Sequence, residues 1–351
     1  MPIIENVNIT GIAACVPSCE IDNTTVQHFP LEQINQIINN TGVRTRRVLK
    51  SACASDLCYQ AAVDLLTSLE CAADSIDIII FVSQTPDYVL PATACILQSK
   101  LGLSNNVMAF DINLGCSGYV YGLIVAAQLL CTGAFKRALL LTGDTVSKLV
   151  SEHDKTVAFL FGDAGAATLL EYDKDAHPIV FDYGTDGSNA DKLMVEAGGF
   201  RVRTESNACQ RFYDDSGNYR SKSELFMSGP DVFAFTIKQI PETILKTLAE
   251  AKWSVDDVNT YFFHQANAFM LKYLIKKLGL NPEKVPINLE GYGNTSVASI
   301  PLTMCLCADN LSLAQPSKFI LAGFGVGLSW ATVACQLNQT RILPLSYYEN
   351  E

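Results

Sequence analysis

The chain has 351 residues, 49% of them hydrophobic and 17% charged, with a formal net charge of −11. That much apolar material builds one or two large cores rather than a disordered chain, and the acidic balance supplies no phosphate-neutralising surface for nucleic acid. No apolar run nears the roughly 18 residues needed to span a bilayer, and Met1 to Thr10 lacks a basic region followed by an apolar stretch, so we expect no membrane contact and a cytoplasmic protein.

In chain order, the apolar patterns predict a helix over 54–69, a buried strand over 78–82, and helices over 92–101 and 117–132. Strands over 138–142 and 166–170 follow, then a helix over 232–251, a strand over 260–263, a helix over 269–278 and a strand over 318–322. Continuous apolar runs of strand length alternating with helices read as an α/β fold with largely parallel sheets. The two halves also repeat one another: IDIIIFVSQTP, AFDINLGCSG and RALLLTGD correspond to VNTYFFHQANA, VPINLEGYGNTS and SKFILAGFGVG. We therefore expect an N-terminal half, 1–175, and a C-terminal half, 176–351, packed as one unit with a site at the join. Residues 184–225 are polar, with five arginines and lysines between Arg201 and Lys222, and read as loops or a cap.

Three residues carry the chemistry. Cys116, in DINLGCSGYVYG, sits where a strand ends, Gly115 allows a tight turn and a helix begins. A helix N-terminus there would favour thiolate, lower the thiol pKa and offer N–H groups to an oxyanion, although burial as a small apolar residue is the ordinary fate of any one of the chain's 12 cysteines. His264 follows an apolar strand in TYFFHQANAFM, and Asn294 lies in the glycine-rich EGYGNTSVASIP; each could instead be a hydrogen-bonded or capping residue. His28, His153 and His177 read as turn or solvated loop residues. The scattered cysteines and only 4 histidines give no metal spacing, so no metal is expected. The glycine-rich loop Gly323 to Gly327 lacks the Lys-Ser/Thr of a phosphate loop and reads as oxyanion-hole backbone.

Taken in order, TGVRTRRV, SQTPDYVLPATAC, DINLGCSGYVYGL, FGDAGAATLLE, MSGPDVFAF, FFHQANAFM, GYGNTSVASIP and AGFGVGLSW resemble the beta-ketoacyl-acyl-carrier-protein synthase III family of the thiolase superfamily over nearly the whole chain. The resemblance implies a duplicated thiolase-like fold, layered α-β-α-β-α around two mixed central sheets, and a homodimer. It implies no cofactor; acyl-CoA or acyl-carrier-protein thioesters, with a malonyl thioester, are the substrates. Cys116 would accept the acyl group, with the N–H groups of Cys116 and Val326 as oxyanion hole. His264 and Asn294 would stabilise the enolate left when malonyl thioester loses carbon dioxide. Phe324 would pack beside the nucleophile, and Leu90 would wall the partner's acyl pocket.

Where the family carries a tryptophan and an arginine for coenzyme A, this chain has Gln36 and Asn40, which can neither stack on adenine nor supply charge. Lys155 keeps a charge without arginine's fork. Phe269 replaces the arginine that docks the acyl carrier protein; Lys272, Lys276 and Lys277 are either its substitutes or a solvated helix face. Two other activities stay open: transfer of the acyl group from cysteine to an oxygen or nitrogen acceptor, and a non-catalytic subunit. A hydroxymethylglutaryl-CoA synthase fits the motifs least well.

Overall fold

The computed structural model describes residues 2–204, 207–311, 313 and 315–349. The run Ile78–Val82 is wholly buried and pairs in parallel on both sides, which is why it shows no polar alternation. It anchors the larger sheet, whose main strands are β1 (Val7–Pro17), β2 (Ile78–Val82), β3 (Met108–Ile112), β4 (Arg137–Asp144) and β5 (Ala164–Tyr172), in the spatial order β1-β5-β4-β2-β3. The smaller sheet contains β6 (Ile179–Thr185), β7 (Thr260–Phe263), β8 (Ser317–Gly325) and β9 (Ser329–Leu337), in the order β6-β9-β8-β7.

The pairing directions repeat. Along β2-β4-β5-β1 they run parallel, antiparallel, antiparallel, and β7-β8-β9-β6 has the same sequence of directions. The chain termini cross between the sheets: Ile3–Ile4 pairs with β6, whereas Arg341–Ile342 and Ser346–Tyr348 pair with β1.

The helices are α1 (Leu31–Thr41), α2 (Ala54–Ser68), α3 (Thr93–Lys100), α4 (Gly118–Leu130), α5 (Gly229–Ala251), α6 (Ala268–Leu278), the four-residue α7 (Leu289–Tyr292) and α8 (Ser299–Leu306). Helices α4 and α8 touch both sheets and form the middle layer. Their sequences, GYVYGLIVAAQLL and SIPLTMCL, are apolar all round, as a helix enclosed on every side must be. Helices α2 and α3 cover the outer face of the larger sheet, and α5 covers that of the smaller sheet with α6 beside it. The expected five-layer α-β-α-β-α arrangement is thus present. Strand β5 is built from small residues because α2 lies directly on it; a Cβ at Gly165 would stand 2.5 Å from the Cys58 nitrogen.

Helix α5 begins three residues before the predicted start at 232, because Pro230 and Asp231 belong to its first turn, where proline's missing N–H costs nothing. Around residues 184–225, the end of β6 is followed by a 3-10 turn over Gly187–Lys192 and two short antiparallel pairs, Leu193–Met194 with Phe226–Met227 and, within the span between them, Phe212–Tyr213 with Tyr219–Arg220. Among the described residues no helix is long and apolar enough to cross a membrane.

Candidate active site

Cys116 closes the turn between β3 and α4. The Gly118 N–H donates to the Gly115 carbonyl at 2.6 Å, so the cysteine sits at the mouth of the helix. His264 is the residue after β7, and its N–H donates to the Ala322 carbonyl at 2.8 Å, extending the β7–β8 ladder by one rung. Asn294 is strapped to the other half of the chain: its N–H donates to the Leu160 carbonyl at 2.9 Å, and its carbonyl accepts from Gly162 at 3.1 Å. Gly162 is needed for that contact, since a Cβ there would meet the Tyr292 oxygen at 2.1 Å.

All three side chains are buried and line one cavity of about 430 Å³ with Phe324 and Gly325. The Gly323–Gly327 segment lies directly against the nucleophile; a Cβ at Gly325 would be 3.0 Å from the sulfur. The backbone groups of Val326 and of Cys116 itself lie close enough to this sulfur to favour its thiolate form. The Ser296 hydroxyl is 3.9 Å from it.

The sequence pointed to a lowered thiol pKa, and the structure corrects that expectation. Burial pushes the Cys116 thiol up to about 11, outweighing the Ser296 hydroxyl and the two backbone groups that favour thiolate. Burial likewise pushes His264 down to about 3, so its ring is neutral at physiological pH. His264 Nδ1 pairs with the Ser299 hydroxyl at 2.8 Å, and its ring meets Phe324 edge-on at 5.5 Å between centroids. The Asn294 side-chain oxygen accepts from the Ser296 N–H at 2.9 Å. Its Nδ2 donates to the Ala266 carbonyl at 3.4 Å, which uses one of two amide hydrogens.

Leu90, Lys155, Lys272 and Lys276 are not part of this cavity. Leu90 is 77% exposed, beside the exposed Tyr88 and Val89. Lys155 donates to the Ser216 carbonyl at 2.7 Å. Lys272 and Lys276 edge a separate groove with Ile275, Leu280 and Ile287. Asn40 does line the cavity, as does Phe269, whose ring lies 5.3 Å from that of Phe233. Sequence reasoning missed Phe233, Met227 and Thr236 as lining residues; the MSGPDVFAF motif contains the first two but does not reveal which face α5 presents. It also missed Ser296, and Asp144 at the end of β4. His28 and His153 come together with Glu152, at 3.4 and 3.5 Å respectively, outside the cavity.

The sequence profiles described as 3-Oxoacyl-[acyl-carrier-protein (ACP)] synthase III and its C-terminal counterpart match residues 110–187 and 248–337. A curated beta-ketoacyl-[acyl-carrier-protein] synthase III of Desulfitobacterium hafniense is 33% identical over 327 residues, covering 93% of this chain and 96% of the relative. Its counterpart from Clostridium perfringens is 34% identical over 335 residues, covering 95% and 100%. The crystal structure of a 3-oxoacyl-(acyl-carrier protein) synthase from Burkholderia xenovorans superposes with a TM-score of 0.93 at 40% identity, covering 99% of this chain and 98% of that one. With this agreement along its whole length, the chain belongs to the 3-oxoacyl-[acyl-carrier-protein] synthase III family of condensing acyltransferases, in the thiolase superfamily.

Proposed function

We propose that Cys116, His264 and Asn294 carry out a two-stage condensation. The Cys116 thiolate attacks an acyl thioester, and the tetrahedral oxyanion is held by the N–H groups of Cys116 and Val326. After the first thiol departs, a malonyl thioester enters the same cavity. Its carbonyl accepts hydrogen bonds from His264 Nε2 and the spare hydrogen of Asn294 Nδ2, which stabilise the enolate as carbon dioxide leaves. The enolate carbon attacks acyl-Cys116, giving a 3-oxoacyl thioester. The observation that carries this reading is the convergence of the three buried side chains on one cavity with two backbone groups close to the sulfur. A neutral His264 suits the role, because with the Ser299 hydroxyl donating to Nδ1 the proton stays on Nε2.

The same reading treats the chain as two duplicated halves, 1–175 and 176–351, with the nucleophile on one and His264 and Asn294 on the other. The apolar cavity walls, Phe233 and Phe269 among them, would hold the thioester arm. Gln36 and Asn40 make coenzyme A a poor carrier, so acyl carrier protein is the favoured donor, docking near Lys272 and Lys276 with Lys155 as a further contact. The exposed Tyr88–Leu90 loop would seat Leu90 in the acyl pocket of a second copy, making a cytoplasmic homodimer without metal or other cofactor. The test is intact-protein mass measurement after incubation with a panel of acyl-CoA and acyl-carrier-protein thioesters. A single acyl adduct on wild type and none on Cys116→Ser supports the reading and identifies the donor; no adduct from any donor removes it.

A further inference from the structure

Resting on Cys116 as nucleophile, a further question is where its proton goes. The thiol is buried at the cavity wall and neutral at rest, so the attacking thiolate must be made inside the site. His264 is poorly suited to receive the proton: a buried imidazolium would be costly, and the proposed chemistry needs Nε2 as a donor. The other polar path from the sulfur runs through Ser296. Its Oγ lies 3.9 Å from the Cys116 sulfur, and the turn it begins packs against β4, which ends at Asp144; burial raises the Asp144 carboxyl, and the Ser296 hydroxyl acts against that shift.

Asp144 is fully buried at the end of β4, and its two oxygens are treated very differently. Oδ1 accepts three hydrogen bonds, from the Ser83 hydroxyl at 3.0 Å, the Gln84 N–H at 2.8 Å and the Thr85 hydroxyl at 3.2 Å. Oδ2 is equally buried and has no partner in full hydrogen-bonding geometry. One oxygen is thus anchored and the other left open on the carboxylate that Ser296 faces. Ser296 itself is held in the left-handed region at φ +49°, unusual for a residue with a Cβ, and its N–H is tied to Asn294 Oδ1 at 2.9 Å. That backbone conformation and the Asn294 contact hold the Ser296 turn beside the nucleophile. Among the described residues, the titratable groups that feel the Asp144 charge include the Cys116 thiol on the α4 side and the Cys58 thiol from α2, with the His264 ring against the Ser296 backbone.

We propose that Asp144 takes the Cys116 proton through the Ser296 hydroxyl. As the S–H bond breaks, its proton passes to Ser296 Oγ while the Ser296 proton passes to Asp144 Oδ2, leaving thiolate and carboxylic acid. One negative charge is present before and after, so the low-dielectric site never has to hold a second. The thiolate then forms the bond to the acyl carbon, the bond from that carbon to the carrier sulfur breaks, and the departing thiolate regains the proton from Asp144 by the reverse path.

The experiment is the rate of Cys116 alkylation by iodoacetamide from about pH 6 to about pH 10, mapped by peptide mass in wild type, Asp144→Asn and Ser296→Ala. The relay predicts that both variants react about a hundredfold more slowly near neutral pH, the scale of a lost general base, and that their rate profiles move to higher pH. A carboxylate acting only through its charge predicts the reverse for Asp144→Asn, because removing a neighbouring negative charge favours thiolate and speeds alkylation; that result would overturn the proposal. If Asp144→Asn fails to fold, Ser296→Ala decides alone, and a wild-type rate in it overturns the relay. Wild-type protein that leaves Cys116 unmodified at every pH would instead remove the nucleophile assignment, an outcome distinct from either.

Discussion

His264 Nδ1 lies 2.8 Å from the Ser299 hydroxyl, a contact buried at the first residue of α8. It fixes the ring's orientation, and the proposed enolate role requires the hydroxyl to donate here so that Nε2 keeps the proton. Ser299→Ala should therefore slow malonyl decarboxylation while leaving acylation of Cys116 intact. The loss of one such bond is worth about 1 kcal/mol, roughly fivefold in rate; equal loss in both half-reactions would contradict the assignment.

His264→Ala should separate the half-reactions more sharply. Acyl-enzyme should still form, but decarboxylation should drop about a hundredfold or more, the usual cost of losing an oxyanion donor. Release of labelled carbon dioxide from malonyl thioester measures it directly, and normal release would rule out the enolate role.

The same histidine should govern part of the acid stability. Its folded pKa, pushed down to about 3 by burial, lies below its ordinary 6.5, so between these values the unfolded chain binds a proton that the folded chain excludes. Its contribution is fully present above pH 6.5 and is lost as pH falls towards 3. Denaturant unfolding of His264→Gln against wild type should show the variant gaining relative stability over that window; parallel curves would mean the ring is not buried neutral.

Gly325→Ala would bring a Cβ within 2.7 Å of the Cys116 Cβ and 3.0 Å of its sulfur. Since the loop also brings Val326 to the sulfur, we expect the acylation rate to fall by about a hundredfold or more, with a smaller effect on melting temperature. Stopped-flow acylation with the chain's best donor would measure this, and an unchanged rate would mean the loop is not an oxyanion hole.

Tyr88, Val89 and Leu90 are 63%, 75% and 77% exposed, a contiguous apolar projection that a monomer seldom leaves bare. Val89→Asp combined with Leu90→Asp should weaken self-association. Sedimentation at several concentrations should give a dimer for wild type and a larger monomer fraction for the variant.

The elements legible in the sequence were those whose signal is local. Ile78–Val82 and Thr260–Phe263 were predicted to the residue, because a strand buried on both faces is an unbroken apolar run. The turns at Cys116, His264 and Asn294 were marked by glycine and polar residues after such runs. Ser296 was invisible as a neighbour of Cys116 because 180 residues separate them in the chain, and only packing of the two halves brings them together. The thiol's pKa was misjudged in sign for a related reason. A helix N-terminus can be read from a turn motif, but the depth at which the sulfur is buried depends on β8 and the loop after it, two hundred residues downstream.

The crossing of the termini has a genetic consequence. Ile3–Ile4 completes the sheet whose other strands begin at Ile179, and the last two strands complete the sheet that begins at Val7. Each of the proposed halves, 1–175 and 176–351, thus lends an edge strand to the other's sheet. A gene cut between the halves would yield two fragments that each leave their own sheet incomplete, so they should be recovered folded only when made together.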